Sequence, residues 1–296
     1  MSTTEPSTTR FDVYQTVTES IIAAIEAGAS EFVMPWHGSG VAIAKPHNAS
    51  TRMEYHGINV LALWVEAHRR GYRSGHWASY RQWQGVGAQV NTGEQGSTIV
   101  FFKALDKKEE DDGRRLVARA SRVFNADQVS GWEPLVDRAL GQPADRIEAV
   151  ESFVTGTAAD VREHGSIACY HIRDDYIEMP DRRRFVGTAT IPPSEAYAAT
   201  LLHELVHWTG AKKRLDRGFD TPLRKSALAE EELVAELGAA FLCADLGVSN
   251  APRPDHAAYV ANWLQALRND KRAIFRASRV ANQAVAYLHE LNTTAN

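Results

Sequence analysis

Cysteine is scarce in this chain: Cys169 and Cys243 are the two among 296 residues. That excludes a disulfide-stapled secreted scaffold and fits a reducing compartment. Long apolar runs are missing as well. The most apolar stretch, Leu233 to Leu246, is interrupted by Glu236 and Asp245 and is too short to cross a bilayer. The start, Met1 to Arg10, is polar and Ser/Thr-rich, with no apolar core of an export signal. The expected setting is the cytoplasm, with no membrane partner and with residues 1–10 as a loose tail. A charge excess of one sign is also absent, since 33 Lys+Arg face 37 Asp+Glu for a net −4. A uniformly basic, histone-like nucleic-acid binder is thereby excluded. A local basic face is not.

What remains is the composition of a globular protein, long enough for one large domain or two ordinary ones. Two textures divide it. From Phe11 to about Trp132 the chain is mixed. Val13, Val17, Ile21, Ile22 and Ile25 recur at helical spacing before Gly28, and Ile58 to Arg70 reads as a second helix stopped near Gly71. Ser97 to Lys103 and Leu116 to Phe124 are rich in β-formers and flank the mixed-charge tract Asp106 to Arg115, a strand–loop–strand signature. Pro134, Gly141 and Pro143 then mark a boundary, placed near residue 143. Beyond it the chain is mainly helical. Ile147, Val150, Phe153, Val154 and Val161 form one stripe, and two short strands fit Ser166 to Met179 around Asp174–Asp175. Ser194 is placed to cap a helix ending at Gly210. Further helices are expected over Ser226–Gly247, Asp255–Arg268 and Asp270–Leu291. The fold class is α+β, with a mixed α/β domain over 1–143 and a mainly helical domain over 144–296.

The strongest chemical signal is His203-Glu204-Leu205-Val206-His207. On a helix, residues i and i+4 stand on one face, so both imidazoles can reach a single Zn²⁺. Another divalent transition metal would also fit. Glu204 lies about 100° around the helix and can serve a water activated by the metal as general base. A catalytic zinc needs a third protein ligand and an open position. The later helix offers Glu230, Glu231, Glu232 and Glu236. Glu232 and Glu236 share a face bordering the core, where an unpaired carboxylate is costly. Glu232 as ligand with Glu236 behind a ligand histidine is the preferred arrangement, and Glu236 as the ligand is the alternative. Glu230 reads as a first-turn acid favoured by the helix dipole, and Glu231 is open between the two roles. Lys212, Lys213 and Arg214 read as cations complementing a helix C-terminus.

The first half concentrates aromatic and basic residues. Between His68 and Lys103 there are five cations and one carboxylate, interleaved with Tyr72, Trp77, Tyr80 and Trp83. Stacking faces beside cations suit single-stranded nucleic acid. Arg73, Trp77, Tyr80, Arg81 and Trp83 are the candidate contacts. Most such aromatics are otherwise core residues.

Ordered blocks across the whole chain resemble the plasmid-borne antirestriction proteins of the ArdC type. They are Tyr55 to Leu61 (YHGINVL), Gly87 to Val90, Gly93 to Gly96 before Ser97, Val123 to Val129 (VFNADQV), His203 to Gly210 (HELVHWTG), Glu231 to Leu242 (EELVAELGAAFL), and Asp270-Lys271-Arg272. The first part is also similar to the N-terminal region of TraC-type conjugative primases. The resemblance implies a first domain that binds single-stranded DNA and a second that is a zincin-like metallopeptidase. Together they would protect incoming plasmid DNA from host restriction during conjugation. A host restriction enzyme or another protein is the implied further partner. The alternative is an inhibitor that binds DNA or the restriction enzyme and holds a non-catalytic, structural metal.

Overall fold

The structure is a computed structural model that describes residues 12–28, 45–105, 115–133, 143–188, 191–218, 225–250 and 256–294. The expected loose tail, the charged tip 106–114 and most of the boundary segment lie outside the described residues. Helix α1 (Val13–Gly28) is followed by strand β1 (His47–Asn48) and helix α2 (Ile58–Arg70). Next come β2 (His76–Ala78), the short helix α3 (Tyr80–Gly85) and β3 (Gln89–Val90). The long strands β4 (Ser97–Leu105) and β5 (Arg115–Asn125) precede β6 (Val129–Ser130).

Local chemistry sets these elements. Helix α2 stops because Gly71 takes the left-handed conformation, φ 71°, and its N–H closes the last turn. Helix α3 starts on a capping box between Ser79 and Gln82. Strands β4 and β5 pair antiparallel through nine residues each, from Ser97↔Val123 to Leu105↔Arg115. They complete a sheet of order β1-β2-β5-β4 that leaves β4 at an edge. Asn59 of α2 occupies part of that edge. Its side chain donates to Val100 O and accepts from Val100 N, both at 2.7 Å, as a neighbouring strand would.

The second part opens with α4 (Pro143–Gly156) and a three-stranded sheet, β7 (Val161–Glu163), β8 (Cys169–His171) and β9 (Tyr176–Met179), in the order β7-β9-β8. Helices α5 (Pro193–Thr209), α6 (Lys225–Leu246), α7 (His256–Asn269) and α8 (Ala273–Thr294) follow. Three local expectations are corrected. Val161 leaves the α4 stripe for a strand, because the chain turns through Thr157 and Ala158 (φ 57°). Ser194 does not cap α5. Pro193 is helical at N1, where its missing N–H costs nothing, so the cap falls on Pro192, which has no side-chain acceptor. Helix α6 begins at Lys225, which puts Glu230 and Glu231 in its second turn, outside the reach of a first-turn dipole effect.

The apolar core runs across residue 143. Ile21 and Ile25 of α1 and Leu61 and Trp64 of α2 pack in one cluster with Leu202, Phe241, Trp263 and Leu288. The rings of Trp64 and Phe241 sit 5.9 Å apart. The first two helices therefore brace the helical part that carries the HELVH motif. Smaller clusters around Trp77 and Trp83 hold the sheet of the first part. Among the described residues no helix is long and apolar enough to cross a membrane.

Candidate metal centre

Helix α5 is apolar around most of its circumference, with Ala198, Leu202, Leu205 and Val206 buried. That forces it into the middle of the second part, and its histidines go in with it. His203 is 2% exposed and Glu204 4%. Helix α6 crosses it closely. A Cβ on Gly238 would lie 2.8 Å from Val206 Cγ2, so only glycine permits this approach. Glycine inside a helix costs about 1 kcal/mol against alanine, and here the closeness brings the acidic face of α6 onto the histidines.

Three ligand atoms converge. His203 Nε2 and His207 Nε2 are 3.1 Å apart. Glu232 Oε2 stands 3.5 Å from His203 Nε2, and its Oε1 stands 3.6 Å from His207 Nε2. Tetrahedral bonds of about 2.0–2.1 Å place neighbouring ligand atoms about 3.3 Å apart. The side chains of His203, His207 and Glu232 thus each bring a ligand atom close enough to share one divalent metal.

The backing of each imidazole differs. His207 Nδ1 hydrogen-bonds Glu231 Oε1 at 3.0 Å, which turns Nε2 toward the shared point. Arg217 grips both oxygens of Glu231, at 2.9 and 2.7 Å, and also donates to Val206 O and Thr209 Oγ1 at the end of α5. Burial alone would lower the His207 pKa. Its hydrogen bonds to Glu231 and Glu232 outweigh that and raise it to about 10. Glu232 is buried too, yet its bonds to both histidines hold its carboxyl well below the usual range. His203 Nδ1 is buried without a hydrogen bond, and Glu236 Oε2 lies 3.8 Å from it. Glu236 therefore stands behind His203, while Glu231 stands behind His207.

Glu204 is oriented from the sheet side. Its Oε2 accepts the Tyr170 N–H of β8 at 3.0 Å. The Tyr170 hydroxyl in turn joins Asp175 and Arg214, and the Arg214 guanidinium lies 3.8 Å over the Trp208 ring. Burial and the Asp175 contact push the Tyr170 hydroxyl up to about 12. Asp175 loses some solvation, but Arg214, Lys213 and Tyr170 hold its carboxyl well below the usual carboxylate range. Arg214 thus serves the wall of the site as well as the helix end. Along the chain, Ile167 and Ile172 flank β8 and are exposed, and Leu228 is exposed one turn before Glu232.

Two supporting residues escaped the sequence reading. Glu231 is set by the crossing of α5 and α6, and Arg217 by the loop after α5. The acidic run 230–232 was the available sign of the first, and no spacing rule points to the second.

The candidate nucleic-acid contacts are scattered. Trp77 is 1% exposed and packs with Leu63 and Val123. Trp83 is 0% exposed, and its indole N–H donates to Phe124 O at 3.0 Å. Both are core residues here with no face open to a base, which corrects the expectation for them. Tyr80, Arg73 and Arg81 are exposed, and Tyr80 accepts a hydrogen bond from Gln89.

Comparison with known proteins completes the picture. Residues 11–129 match the N-terminal domain of anti-restriction factor ArdC, and residues 148–280 match a zincin-like metallopeptidase family. An uncharacterized protein, y4eC, of Sinorhizobium fredii is 43% identical over all of this chain and 97% of its own length. DNA primase TraC of Escherichia coli is 31% identical over 93% of this chain, which spans 20% of that primase. The metal-free crystal structure of antirestriction ArdC from plasmid R388 is similar with TM-score 0.78 and 39% identity, covering 96% of this chain and 99% of that one. Its Mn(II)-bound form gives TM-score 0.77 over 95% and 98%. With the full length aligned and both regions matched, the chain belongs to the ArdC family of antirestriction proteins.

Proposed function

We propose that this protein is a zinc-dependent metallopeptidase fused to a single-stranded-DNA-binding region, and that it protects incoming conjugative DNA from host restriction in the cytoplasm. The observation that carries the peptidase reading is the convergence of His203, His207 and Glu232 within reach of one ion, next to an oriented Glu204. Two imidazoles and one carboxylate form a donor set suited to Zn²⁺. The related ArdC structure with Mn(II) bound supports a divalent ion in this family. When bound, such an ion polarises a carbonyl and lowers the pKa of water.

The chain's own residues supply the rest. Glu204, held by the Tyr170 N–H, takes the proton from the attacking water and returns it to the departing amine. Glu231 and Arg217 keep His207 aimed. The exposed Ile167, Ile172 and Leu228 suit an extended polypeptide with apolar side chains better than a folded surface. A restriction enzyme or a protein bound to the entering strand would be such a substrate.

The deciding variant is Glu204→Gln. It should retain metal at wild-type stoichiometry and lose cleavage of a denatured protein substrate by at least about 100-fold. Unchanged cleavage would remove Glu204 from the chemistry. Undiminished antirestriction by a variant that has lost cleavage would instead make the metal structural for that role.

A further inference from the structure

The core positions of Trp77 and Trp83 leave Tyr80 as the one exposed aromatic among the candidate DNA contacts, and the sheet supplies a further surface. Strands β4 and β5 extend as a ribbon beyond the part of the sheet that α2 covers. The root is fixed: Ile99 packs against the cluster of Leu63, Trp77 and Val123, and Val100 is buried. Further out, Phe101 becomes 48% exposed. The register pairs Phe101 directly with Arg119, so the two side chains stand on one face of the ribbon. Lys103, two residues along β4, stands on that face as well. Both cations are exposed, and among the described residues neither has a carboxylate partner. The sequence from Ser97 to Leu105 and from Arg115 to Asn125 contains no acidic residue at all.

We infer that Phe101, Lys103 and Arg119 form the platform on which single-stranded DNA lies. The phenyl face would stack an unpaired base, and the two cations would hold the phosphates on either side. This rests on the single-stranded-DNA reading above and gives it a location. A phenyl ring exposed in water gains by covering itself with a base, whichever base it is. Exposed cations can release counterions from a phosphate backbone. On the opposite face Phe102 is exposed beside Ala118 and Ala120, and the cation further along, Arg122, is tied to Gly96 O at 2.8 Å. Trp77 takes part indirectly, as the prop beneath the ribbon root.

The test is a fluorescence-anisotropy titration of the full-length protein with a labelled oligothymidylate, repeated over a range of salt. Phe101→Ala should weaken binding about tenfold at fixed salt, and Phe101→Trp should restore it. Lys103→Gln and Arg119→Gln should each reduce the salt slope by about 0.7. Phe102→Ala, on the other face, should bind within about twofold of wild type. All four positions are surface sites, so thermal melting should match wild type. If the wild type binds but Phe101→Ala and the two Gln variants bind equally well, the platform is elsewhere and the assignment is overturned. If Phe102→Ala is the damaging variant, the wrong face has been chosen. If the wild type itself shows no binding at low salt, the DNA reading fails and the platform falls with it. That outcome is distinct from loss in the variants alone.

Discussion

The metal centre and the aromatic-rich first part both bury residues that a sequence reader would pick out, and they bury them to opposite ends. At His203 and His207 the two Nε2 atoms lie 3.1 Å apart and both face Glu232, so three potential ligand groups meet at one point. At Trp83 the one polar atom is already satisfied by Phe124 O, and Trp77 sits among apolar side chains. Burial alone does not separate a functional side chain from a structural one. Convergent donor atoms aimed at a shared point do, because closing them inside a core without a partner is costly.

The sharpest way to break this comparison is to remove Trp83. As a fully buried indole it should cost about 3–5 kcal/mol on truncation to alanine. Chemical denaturation of Trp83→Ala should show that loss directly. Tyr80→Ala, three residues earlier and exposed, should stay within about 0.5 kcal/mol of wild type. If Trp83→Ala kept its stability and lost only DNA affinity, the core assignment of this ring would be wrong, and the first part would resemble the metal centre after all.

The next effect falls on the backing of the metal centre. Glu231→Ala removes the acceptor from His207 Nδ1 and also strands Arg217. Loss of such an orienting partner typically costs 10- to 100-fold in metal affinity. Competition with a chromophoric chelator should find a drop of about that size. Arg217→Met should give a smaller drop in the same direction, since Glu231 would keep its place less firmly. Unchanged affinity in both would mean that the two histidines are held by helix packing alone.

These outcomes bear on what the sequence could disclose. Helix spacing placed His203, Glu204 and His207 on α5 and Glu232 on α6, because i, i+4 geometry is local. The β4–β5 hairpin was equally local, a pair of β-rich runs around a charged loop. Glu231 was undecidable from sequence, since Glu231 and Glu232 differ by 100° on α6 and only the crossing at Gly238 determines which of them meets Nε2 and which meets Nδ1. The same holds for the aromatic residues. Composition could not tell Trp77 from Phe101, because the difference lies in how far α2 covers the sheet. The common core across residue 143 was hidden as well, since contacts such as Trp64 with Phe241 link residues far apart in the chain.

The smallest effect concerns the wall of the centre, which is held by charge where the first part is held by apolar packing. Asp175 sits in the turn between β8 and β9 and ties Arg214 to the Tyr170 hydroxyl, while the Tyr170 N–H holds Glu204. Its folded pKa lies below its unfolded value of about 3.8. Its contribution to stability is therefore fully present above that unfolded value and fades as pH falls through the folded one. Asp175→Asn should be less stable than wild type by about 1 kcal/mol at neutral pH, given that this carboxylate is partly exposed. Below about pH 4 the gap between the two should begin to narrow, because unfolded wild type takes up a proton there while the folded carboxylate stays ionised. Urea midpoints for both proteins from pH 7 down to pH 3 measure it. A gap that stays constant through pH 3 would show that the turn is held by its geometry. A gap that narrows would show that the metal centre's wall, unlike the sheet around Trp77 and Trp83, depends on an ion pair that acid weakens.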